Sequence, residues 1–385
     1  MSISREVRAS AKDLVSLRRT IHEWPEPGFK EQKTAALIRK KLDDWGVSYR
    51  KMCGTGVVAT IKGSKPGPTL LFRADMDALP LTEENKVPYA SRVPGFMHAC
   101  GHDGHVAMAL VASRLLEKER HSLRGNVKVM FQPAEEGPGG AVPMIDAGIL
   151  DKPRVDAAFA IHLWNDLPVG KVGCRAGAVF AAQDEFHMTV HGKGGHGAAP
   201  HQTIDPVVVA AQIVTACQTI VARKVNPVKT AVLTFGQIHG GTRHNIIPDT
   251  VSLSGTVRAL EKPVRQLLEE ELKRVVHGVA SSLGAKVELE FIRGYSATVN
   301  DPGMTEVARR AASRAAKTVE QDITMGAEDM SYVLEKVPGC YMAVGSHNKK
   351  RGLVYPHHSA RFDFDEKALE VGTEVWLQLA RQSIA

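Results

Sequence analysis

The chain has 385 residues, of which 43% are hydrophobic and 24% charged, a composition typical of globular proteins that bury a sizeable core. Its formal net charge is +7, but the basic residues are scattered and only 5% of the chain is aromatic, which argues against nucleic acid as a partner. A generally basic surface instead favours small anionic substrates.

Five cysteines are spread along the chain, at Cys53, Cys100, Cys174, Cys217 and Cys340. Their odd number and wide spacing do not match a disulfide framework, which favours a reducing compartment. The first residues, MSISREVRASAKDLVSLRR, lack the apolar segment of a signal peptide. No apolar run approaches the roughly 18 residues of a membrane span. We therefore expect a cytoplasmic protein with no membrane or nucleic-acid partner.

The first half of the chain alternates between predicted helices and strands. Apolar residues recur at helical spacing over residues 14–21 and 35–42, on either side of WPEPG. Two strand-like runs follow, GVVATIKG and TLLFRAD, and then a helix that opens at Gly104. The short apolar runs NVKVMFQ and VDAAFAIHLW are typical of buried parallel strands. This alternation predicts an open α/β sheet.

The pattern changes after about residue 184. EFHMTVHG alternates like a half-buried strand, and the following segments predict the order βαββαβ, which is the ferredoxin-like split motif. From about residue 296 the α/β pattern returns, with helices around 302–317 and in AEDMSYVLEK and a strand at CYMAVGS. We predict one α/β domain over residues 1–183 and 296–385, interrupted by an α+β domain over residues 184–295.

Charged and metal-ligating side chains stand at three predicted strand ends: Asp75 and Asp77, then Glu135 and Glu136, and finally His162. In open α/β sheets the functional crevice lies outside the carboxyl ends of the strands. The segment MHACGHDGH, residues 97–105, comes just before a predicted helix whose N-terminus favours the thiolate form of Cys100. Three strand ends and one helix start therefore predict a common crevice.

Each of these groups also has an ordinary structural interpretation. Taken alone, His162 is a hydrogen-bonded core histidine, the two glutamates are solvated loop acids, and the two aspartates cap a turn. Cys100 alone is a small buried hydrophobic residue. Their coincidence at one edge of the sheet favours the functional interpretation over these alternatives.

Seven motifs together carry a family resemblance: FRADMDALPL, MHACGHDGH, FQPAEEGPGGA, GKGGHGAAPH, HNIIPD, GAEDMSY and HHSARFDFDE. They resemble the aminoacylase and carboxypeptidase family of two-metal amidohydrolases, and they occur in the family's order over nearly the whole chain. The most similar branch contains hippurate hydrolases, N-acyl-amino-acid amidohydrolases and auxin-conjugate hydrolases. The resemblance implies a zinc-aminopeptidase-like catalytic domain of the α/β class, with an inserted ferredoxin-like α+β lid or dimerisation domain.

The resemblance also implies a set of site residues. The metal ligands are Cys100, His102, Glu136, His162 and His358, and the general base is Glu135. The neighbouring His98, His105 and His357 are not ligands. Other branches carry a metal-binding histidine at the position of Arg73, so Asp75 is expected to support a ligand rather than bind metal.

Two further positions lie in the inserted domain. His196, in the glycine-rich turn GKGGHG, matches a family histidine that steadies the oxyanion, often across a dimer interface, although by itself it is also an ordinary turn histidine. Asn245 matches a position that contacts substrate. In the segment MHACGHDGH, Gly101 and Gly104 are expected to let the backbone turn tightly, and Asp103 to orient a ligand histidine.

The implied reaction is metal-dependent hydrolysis of the amide bond of an N-acyl amino acid, such as a hippurate-like or N-acetyl-amino-acid substrate. Glu135 would take a proton from water and pass it to the leaving nitrogen, while two divalent ions of Mn²⁺, Zn²⁺ or Co²⁺ suit the imidazole, carboxylate and thiolate ligands. A dipeptidase or carboxypeptidase on the same scaffold is the alternative enzyme, and a non-catalytic metal-binding protein is an alternative of another class. The family also implies a homodimer or a higher homo-oligomer.

Overall fold

The computed structural model of the chain describes residues 2–382, which form two compact units. The larger unit runs up to Val179 and also contains Val299–Asp322 and the chain from Asp329 onward. The smaller unit contains Phe180–Thr298 and Ile323–Glu328. The predicted crossings were 183/184 and 295/296, and Ile323–Glu328 was not predicted to belong to the inserted unit.

The described residues contain ten α-helices: α1 Arg5–Ala9, α2 Ala11–His22, α3 Gln32–Asp44, α4 His102–Lys118, α5 Ala141–Asp146, α6 Pro206–Thr219, α7 Lys262–Ser282, α8 Pro302–Ala315, α9 Met330–Leu334 and α10 Lys367–Arg381. The strands are β1 Tyr49–Met52, β2 Gly56–Lys62, β3 Lys65–Asp75, β4 Arg124–Gln132, β5 Ala157–Pro168, β6 Lys171–Gly173, β7 Gly177–Phe180, β8 Ala182–His191, β9 Gly195–His196, β10 Ala231–Gly240, β11 Ile246–Ile247, β12 Thr250–Ala259, β13 Lys286–Arg293, β14 Thr298–Asn300, β15 Lys317–Val319 and β16 Gly339–His347.

The larger unit is built on an eight-stranded sheet with the order β1-β2-β4-β3-β5-β16-β6-β15. Its four central strands, β4, β3, β5 and β16, are parallel to one another, and they are buried along most of their length because helices cover the sheet. Helix α4 packs against α2, α10 and β3. The predicted α/β class is confirmed, including the parallel pairing of the apolar runs.

One predicted strand end is wrong. His162 lies inside β5, which continues to Pro168. The pairing of β3 with β5 ends at Arg73 and Ala160, whereas β16 continues to pair with β5 beyond His162. His162 therefore lies just past the last β3–β5 pair, although its own strand goes on.

Helix α4 begins at His102, two residues earlier than predicted. Gly101 precedes it with φ +94°, a left-handed conformation that a side chain would strain. Gly104 is already helical, and its role differs from the predicted turn: a Cβ there would lie 2.5 Å from Leu163 Cδ1. Gly104 therefore permits close packing of α4 on β5.

The smaller unit has a four-stranded antiparallel sheet with the order β10-β12-β8-β13. Its elements follow the chain order β8-α6-β10-β12-α7-β13, which confirms the predicted ferredoxin-like βαββαβ motif. Helices α6 and α7 pack together on this sheet. The short strands β9 and β11 form a separate pair.

Helix α6 and the π-helical turn after it, Pro206–Lys224, are long and apolar enough to cross a membrane by length and composition alone. No such segment was predicted from the sequence. Val209, Ala210, Ile213 and Cys217 of this helix belong to the hydrophobic core of the smaller unit. A single helix of this length and composition is weak evidence for a membrane span.

Candidate metal centre

The larger unit brings the five predicted ligands into one cluster. The ligand atoms of Cys100, His102 and His162 lie within 4.8 Å of one another, and so do those of Cys100, Glu136 and His358. Cys100 belongs to both groups. Among the five predicted ligands there are thus two neighbouring sets of three donor side chains, with the Cys100 thiol common to both. The ligand atoms of His102, Glu135 and Glu136 also lie within 4.8 Å of one another.

Both buried histidines of the cluster are oriented through Nδ1. The His102 Nδ1 lies 3.0 Å from the Asp77 carbonyl oxygen, and the His162 Nδ1 lies 2.6 Å from the Leu163 carbonyl oxygen. His162 Nε2 is then 3.4 Å from the Cys100 Sγ. His102 Nε2 is buried and has no hydrogen-bond partner among residues 2–382. A metal-ligating histidine is usually oriented in this way, with its Nδ1–H donating to a carbonyl oxygen and its Nε2 free to bind the metal.

His358 enters the cluster from the loop before α10. Its backbone is left-handed, with φ +63°, and its N–H donates to the Ala99 carbonyl oxygen over 2.9 Å. The His358 Nε2 lies 3.2 Å from Glu136 Oε1, and the His358 side chain is 55% exposed. The left-handed conformation costs free energy for a non-glycine residue. It persists mainly where the surrounding structure enforces it, often at functional sites.

Two buried carboxylates hold the turn that carries Glu135 and Glu136. The Ala134 N–H donates to Glu31 Oε1 over 2.9 Å, and the N–H groups of Glu135 and Glu136 donate to the two carboxylate oxygens of Asp77, each over 3.0 Å. Ala134 is left-handed, with φ +55°. Glu135 Oε2 lies 3.9 Å from His102 Nε2. Because Asp77 also accepts from His102, one residue holds both the glutamate turn and a histidine of the cluster.

We expect Asp77→Asn to weaken metal binding by roughly 10–100-fold, the usual effect of losing a group that orients a ligand. The new amide NH₂ would face one of the two backbone N–H groups and leave it without an acceptor. Metal content at limiting free metal and kcat are the measurements. The matched control is Asp156→Asn, because the exposed Asp156 also accepts a backbone N–H, that of Thr69 over 2.8 Å, outside the cluster. Equal metal content in both variants would contradict this role of Asp77.

The other histidines of these motifs have different surroundings. His105 has both ring nitrogens occupied, since Nδ1 lies 2.6 Å from Asp75 Oδ1 and Nε2 accepts the Leu163 N–H over 2.9 Å. His357 Nε2 donates to the Leu163 carbonyl oxygen over 2.9 Å, and burial lowers the pKa of His357 to about 4. His98 is in none of the ligand groups found among the described residues.

Asp75 is a buried carboxylate that contacts a histidine of the cluster, His102. It pairs with Arg73 and His105, and its Oδ2 lies 3.6 Å from His102 Nε2. Burial raises the pKa of Asp75, but cationic His102 and Arg73 outweigh burial and hold this pKa well below its usual range. Arg73 also donates to Asp329 Oδ1 over 2.8 Å. The position that other branches give to a histidine therefore carries a buried cation held by two carboxylates.

Asp103 does not contact a histidine of the cluster, contrary to the sequence-based expectation. Its carboxylate accepts from Arg18 Nε over 2.9 Å and from the Gly104 N–H over 2.9 Å, and it lies 2.7 Å from His22 Nδ1. Asp77 holds His102 instead. The side chain of Asp103 points toward α2, on which Arg18 and His22 lie one turn apart.

The electrostatics of the cluster favour a cation. Burial raises the pKa of the Cys100 thiol well above its ordinary value, and Glu136, Glu135 and Asp75 raise it further. The predicted effect of the helix N-terminus on this thiol is thus outweighed. Burial lowers the pKa of His102, but Asp75, Asp77 and Glu136 overcome burial and raise this pKa to about 10. The surrounding carboxylates therefore stabilise positive charge at this point.

His196 and Asn245 lie in the smaller unit, close to each other. His196 on β9 is paired with Ile246 on β11, and the Gly197 N–H donates to the Asn245 carbonyl oxygen over 2.9 Å. The His196 Nδ1 accepts the Ala198 N–H over 3.0 Å. In the neutral ring the proton is therefore on Nε2, which makes Nε2 a hydrogen-bond donor.

Two residues that hold the cluster were absent from the predicted site. Asp77 was recognisable as a polar residue at a strand end, but its partners were not. Glu31 gave no signal, because its partner Ala134 is 103 positions away in sequence. Its carboxylate is fully buried and also accepts from Thr55 Oγ1 over 2.6 Å.

Comparison with known proteins identifies the family. A family model described as peptidase family M20/M25/M40 matches residues 71–382. Thermostable carboxypeptidase 1 of Saccharolobus solfataricus is 42% identical over 96% of this chain and 95% of its own length. N-acetylcysteine deacetylase of Bacillus subtilis is 38% identical over 95% of this chain and 96% of its own length. The crystal structure of Bacillus subtilis YXEP protein, described as a dinuclear metal-binding peptidase of the M20 family, superimposes with a TM-score of 0.86 at 35% identity, covering 97% of this chain and 98% of that one. The chain therefore belongs to peptidase family M20/M25/M40 and is a hydrolase of amide bonds.

Proposed function

We propose that the protein is a metal-dependent amidohydrolase that releases a free amino acid and a carboxylic acid from N-acyl amino acids. The observation that carries the proposal is the position of Glu135. Its carboxylate is next to a cluster of thiol, imidazole and carboxylate donors, and Asp77 holds its backbone in place. A site that only bound metal for stability would need no additional carboxylate beside its ligands.

The donor set fits two divalent ions. One would be held by Cys100, His102 and His162, and the other by Cys100, Glu136 and His358, so that Cys100 is shared. The unpartnered His102 Nε2 and the surplus of carboxylates both favour a cation. A mixture of imidazole, carboxylate and one thiolate suits Mn²⁺, Zn²⁺ or Co²⁺. The description of YXEP as dinuclear supports the same stoichiometry here.

When bound, the metal ions would lower the pKa of water toward roughly 7 and polarise the scissile carbonyl. The protein's own residues do the rest. Glu135 accepts a proton from the attacking water and delivers it to the leaving nitrogen. Asp77 orients Glu135 and His102 together, because it accepts hydrogen bonds from both. Glu136 pairs with His358, so the two adjacent glutamates have separate tasks.

The nature of the substrate rests on the relatives and on charge. N-acetylcysteine deacetylase, by its name, removes an acyl group from an amino acid, and the net charge of +7 suits a substrate that carries a carboxylate. The carboxypeptidase relative favours a second candidate function, cleavage of a C-terminal residue from a peptide. The two candidates differ in whether the acyl side of the scissile bond carries a free amine.

A substrate panel distinguishes them. Metal-stripped protein is supplied with Mn²⁺, Zn²⁺ or Co²⁺ and assayed on hippurate, N-acetyl amino acids, indole-acetyl conjugates and dipeptides. Hippurate and the dipeptide Phe-Gly form a matched pair, since both release glycine but only the dipeptide has a free amine. We expect faster release from the N-acyl compounds. Faster release from dipeptides would favour the peptidase, and no cleavage of any amide would contradict both candidates.

We further propose that His196 donates a hydrogen bond to the oxyanion and that Asn245 contacts the substrate. The tautomer supports the role of His196, because its Nε2 carries the proton while Nδ1 accepts from Ala198. His196→Ala is expected to lower kcat by roughly 10²–10³-fold, the effect of losing one oxyanion donor, with metal content unchanged. His201→Ala is the matched control, another exposed histidine of the same motif. Full activity of His196→Ala would contradict the role.

The homodimer implied by the family remains a prediction, and His196 offers a way to test it. If a partner subunit supplies this histidine, mixing inactive Glu135→Gln protein with inactive His196→Ala protein should restore part of the activity through hybrid dimers. No recovery would instead favour action within one chain. The measurement is specific activity after the two proteins are mixed and allowed to exchange subunits.

A further inference from the structure

Arg18 lies on the buried face of α2, remote in sequence from every proposed metal ligand. Its side chain is fully buried. Nε donates to Asp103 Oδ2 over 2.9 Å, Nη2 to Asp363 Oδ1 over 2.8 Å, and Nη1 to Glu366 Oε1 over 3.4 Å. A single guanidinium thus joins three acidic side chains from two distant parts of the chain, and the first two of them lie beside segments that carry metal ligands.

The first segment is the start of α4. Asp103 directly follows His102 and is three residues from Cys100. Its carboxylate is fully buried and accepts from Arg18 and the Gly104 N–H, with His22 Nδ1 at 2.7 Å. The position of this carboxylate is therefore set by α2, and the Gly104 N–H joins it to the first turn of α4.

The second segment is the loop that carries His358. Asp363 is five residues further along, only 8% exposed, and it accepts from Arg18, from the Tyr89 hydroxyl over 2.8 Å and from the Phe364 N–H over 2.8 Å. The two segments also meet directly where the His358 N–H donates to the Ala99 carbonyl oxygen. Arg18 ties them together from behind, and its guanidinium lies 4.4 Å from the centre of the Phe364 ring.

We propose that Arg18 is a positioning residue for the metal centre, which fixes the distance between the Cys100–His102 segment and the His358 segment. This inference rests on the proposed two-metal function. The two ions depend on Arg18 differently. The first donor group, formed by Cys100, His102 and His162, contains no residue of the His358 loop. The second donor group, formed by Cys100, Glu136 and His358, combines donors from both segments. Loss of the guanidinium fork would leave the buried carboxylates of Asp103 and Asp363 to repel each other, and the second group of donors would separate.

Arg18→Lys tests this, because lysine keeps the charge but cannot bridge two carboxylates with a planar fork. Arg19→Lys is the matched control. Arg19 is the next residue of α2, 41% exposed, and it forms a fork with Glu366 alone, over 2.8 and 2.7 Å. Both variants and the wild type are stripped with a chelator, dialysed against Mn²⁺ or Zn²⁺ alone at a series of free concentrations, and analysed for bound metal.

We expect the wild type and Arg19→Lys to bind two ions per chain. Arg18→Lys should bind the first with wild-type affinity and the second roughly 10–100-fold more weakly, the scale for loss of an outer positioning group. A merely structural role would weaken both ions together or neither, and either result would overturn the inference. Should Arg18→Lys fail to fold, Asp363→Asn replaces it and is expected to weaken binding of the same second ion. Unchanged binding of both ions by Asp363→Asn would overturn the positioning role of Arg18.

The outcomes separate this inference from the function it rests on. A wild type that binds two ions and cleaves N-acyl amino acids, with an Arg18→Lys variant that binds both ions normally, would overturn the role of Arg18 alone. A wild type that binds fewer than two ions would overturn the two-metal function, and the inference with it.

Discussion

Glu135→Gln is expected to lower kcat by roughly 10²–10⁴-fold, the usual contribution of a general acid–base group, while metal content stays near that of the wild type. Glutamine has almost the same size as glutamate, but it cannot accept a proton from water and pass it to the leaving nitrogen. The backbone N–H of residue 135 can still donate to Asp77, so the turn should keep its shape. Steady-state kinetics on an N-acyl amino acid and metal analysis are the two measurements.

The neighbouring glutamate provides the matched comparison. Glu136→Gln makes the same chemical change one residue away, at the side chain that pairs with His358. We expect that variant to lose metal, and Glu135→Gln to keep it. If both variants lost metal equally, or if Glu135→Gln kept near-normal turnover, the separate tasks assigned to the two glutamates would be wrong.

Cys100→Ala is expected to abolish measurable activity and to lower the bound metal further than His358→Ala does. The reason is that the Cys100 thiol belongs to both donor groups, whereas His358 belongs to one. Dialysis of the wild type against a chelator should likewise remove activity, and added Mn²⁺, Zn²⁺ or Co²⁺ should restore it. The same addition should not restore Cys100→Ala. Metal analysis and kinetics before and after each addition check these expectations.

Cys53→Ala is the control for the thiol. Cys53 lies in the turn between β1 and β2 and is only partly buried, in none of the donor groups of the described residues, so the variant should retain both metal and activity. Wild-type protein that stays fully active after complete metal removal would contradict the metal-dependent mechanism. Cys100→Ala protein with the same metal content as His358→Ala would contradict the sharing of Cys100 between the two groups.

Local sequence patterns were sufficient to predict the architecture. The reason is that helices and strands each bury one face, and the spacing of apolar residues along that face differs between them. The alternation in β8, where every second residue is buried, was visible in EFHMTVHG, and the apolar runs of β4 and β5 indicated strands buried on both faces. The end of β5 was missed, because whether a strand stops at His162 depends on its neighbours β3 and β16, which its own residues do not reveal.

The polar contacts that support the cluster could not be predicted from local sequence patterns. Arg18 and His22 are on the buried side of α2. The apolar periodicity of this helix indicates only Leu14, Leu17 and Ile21 as buried residues. Charged residues are expected at the surface unless buried partners compensate them, and the acidic partners of Arg18 are 85, 345 and 348 positions away. Asp103 was therefore paired with a ligand histidine on sequence grounds, although its actual partners are Arg18 and His22.

The sequence by itself determined the α/β class, the inserted βαββαβ unit and, through its motifs, the family, since these depend on residue types at short, regular spacings. Only the tertiary structure decided which side chains meet: that Cys100 stands in both donor groups, that Asp77 rather than Asp103 orients His102, and that Arg18 joins two ligand-bearing segments. It also decided the ionisation of the cluster, where burial and three carboxylates raise the pKa of the Cys100 thiol. Distances between residues remote in sequence, and the burial that strengthens their charges, come into existence only when the chain folds.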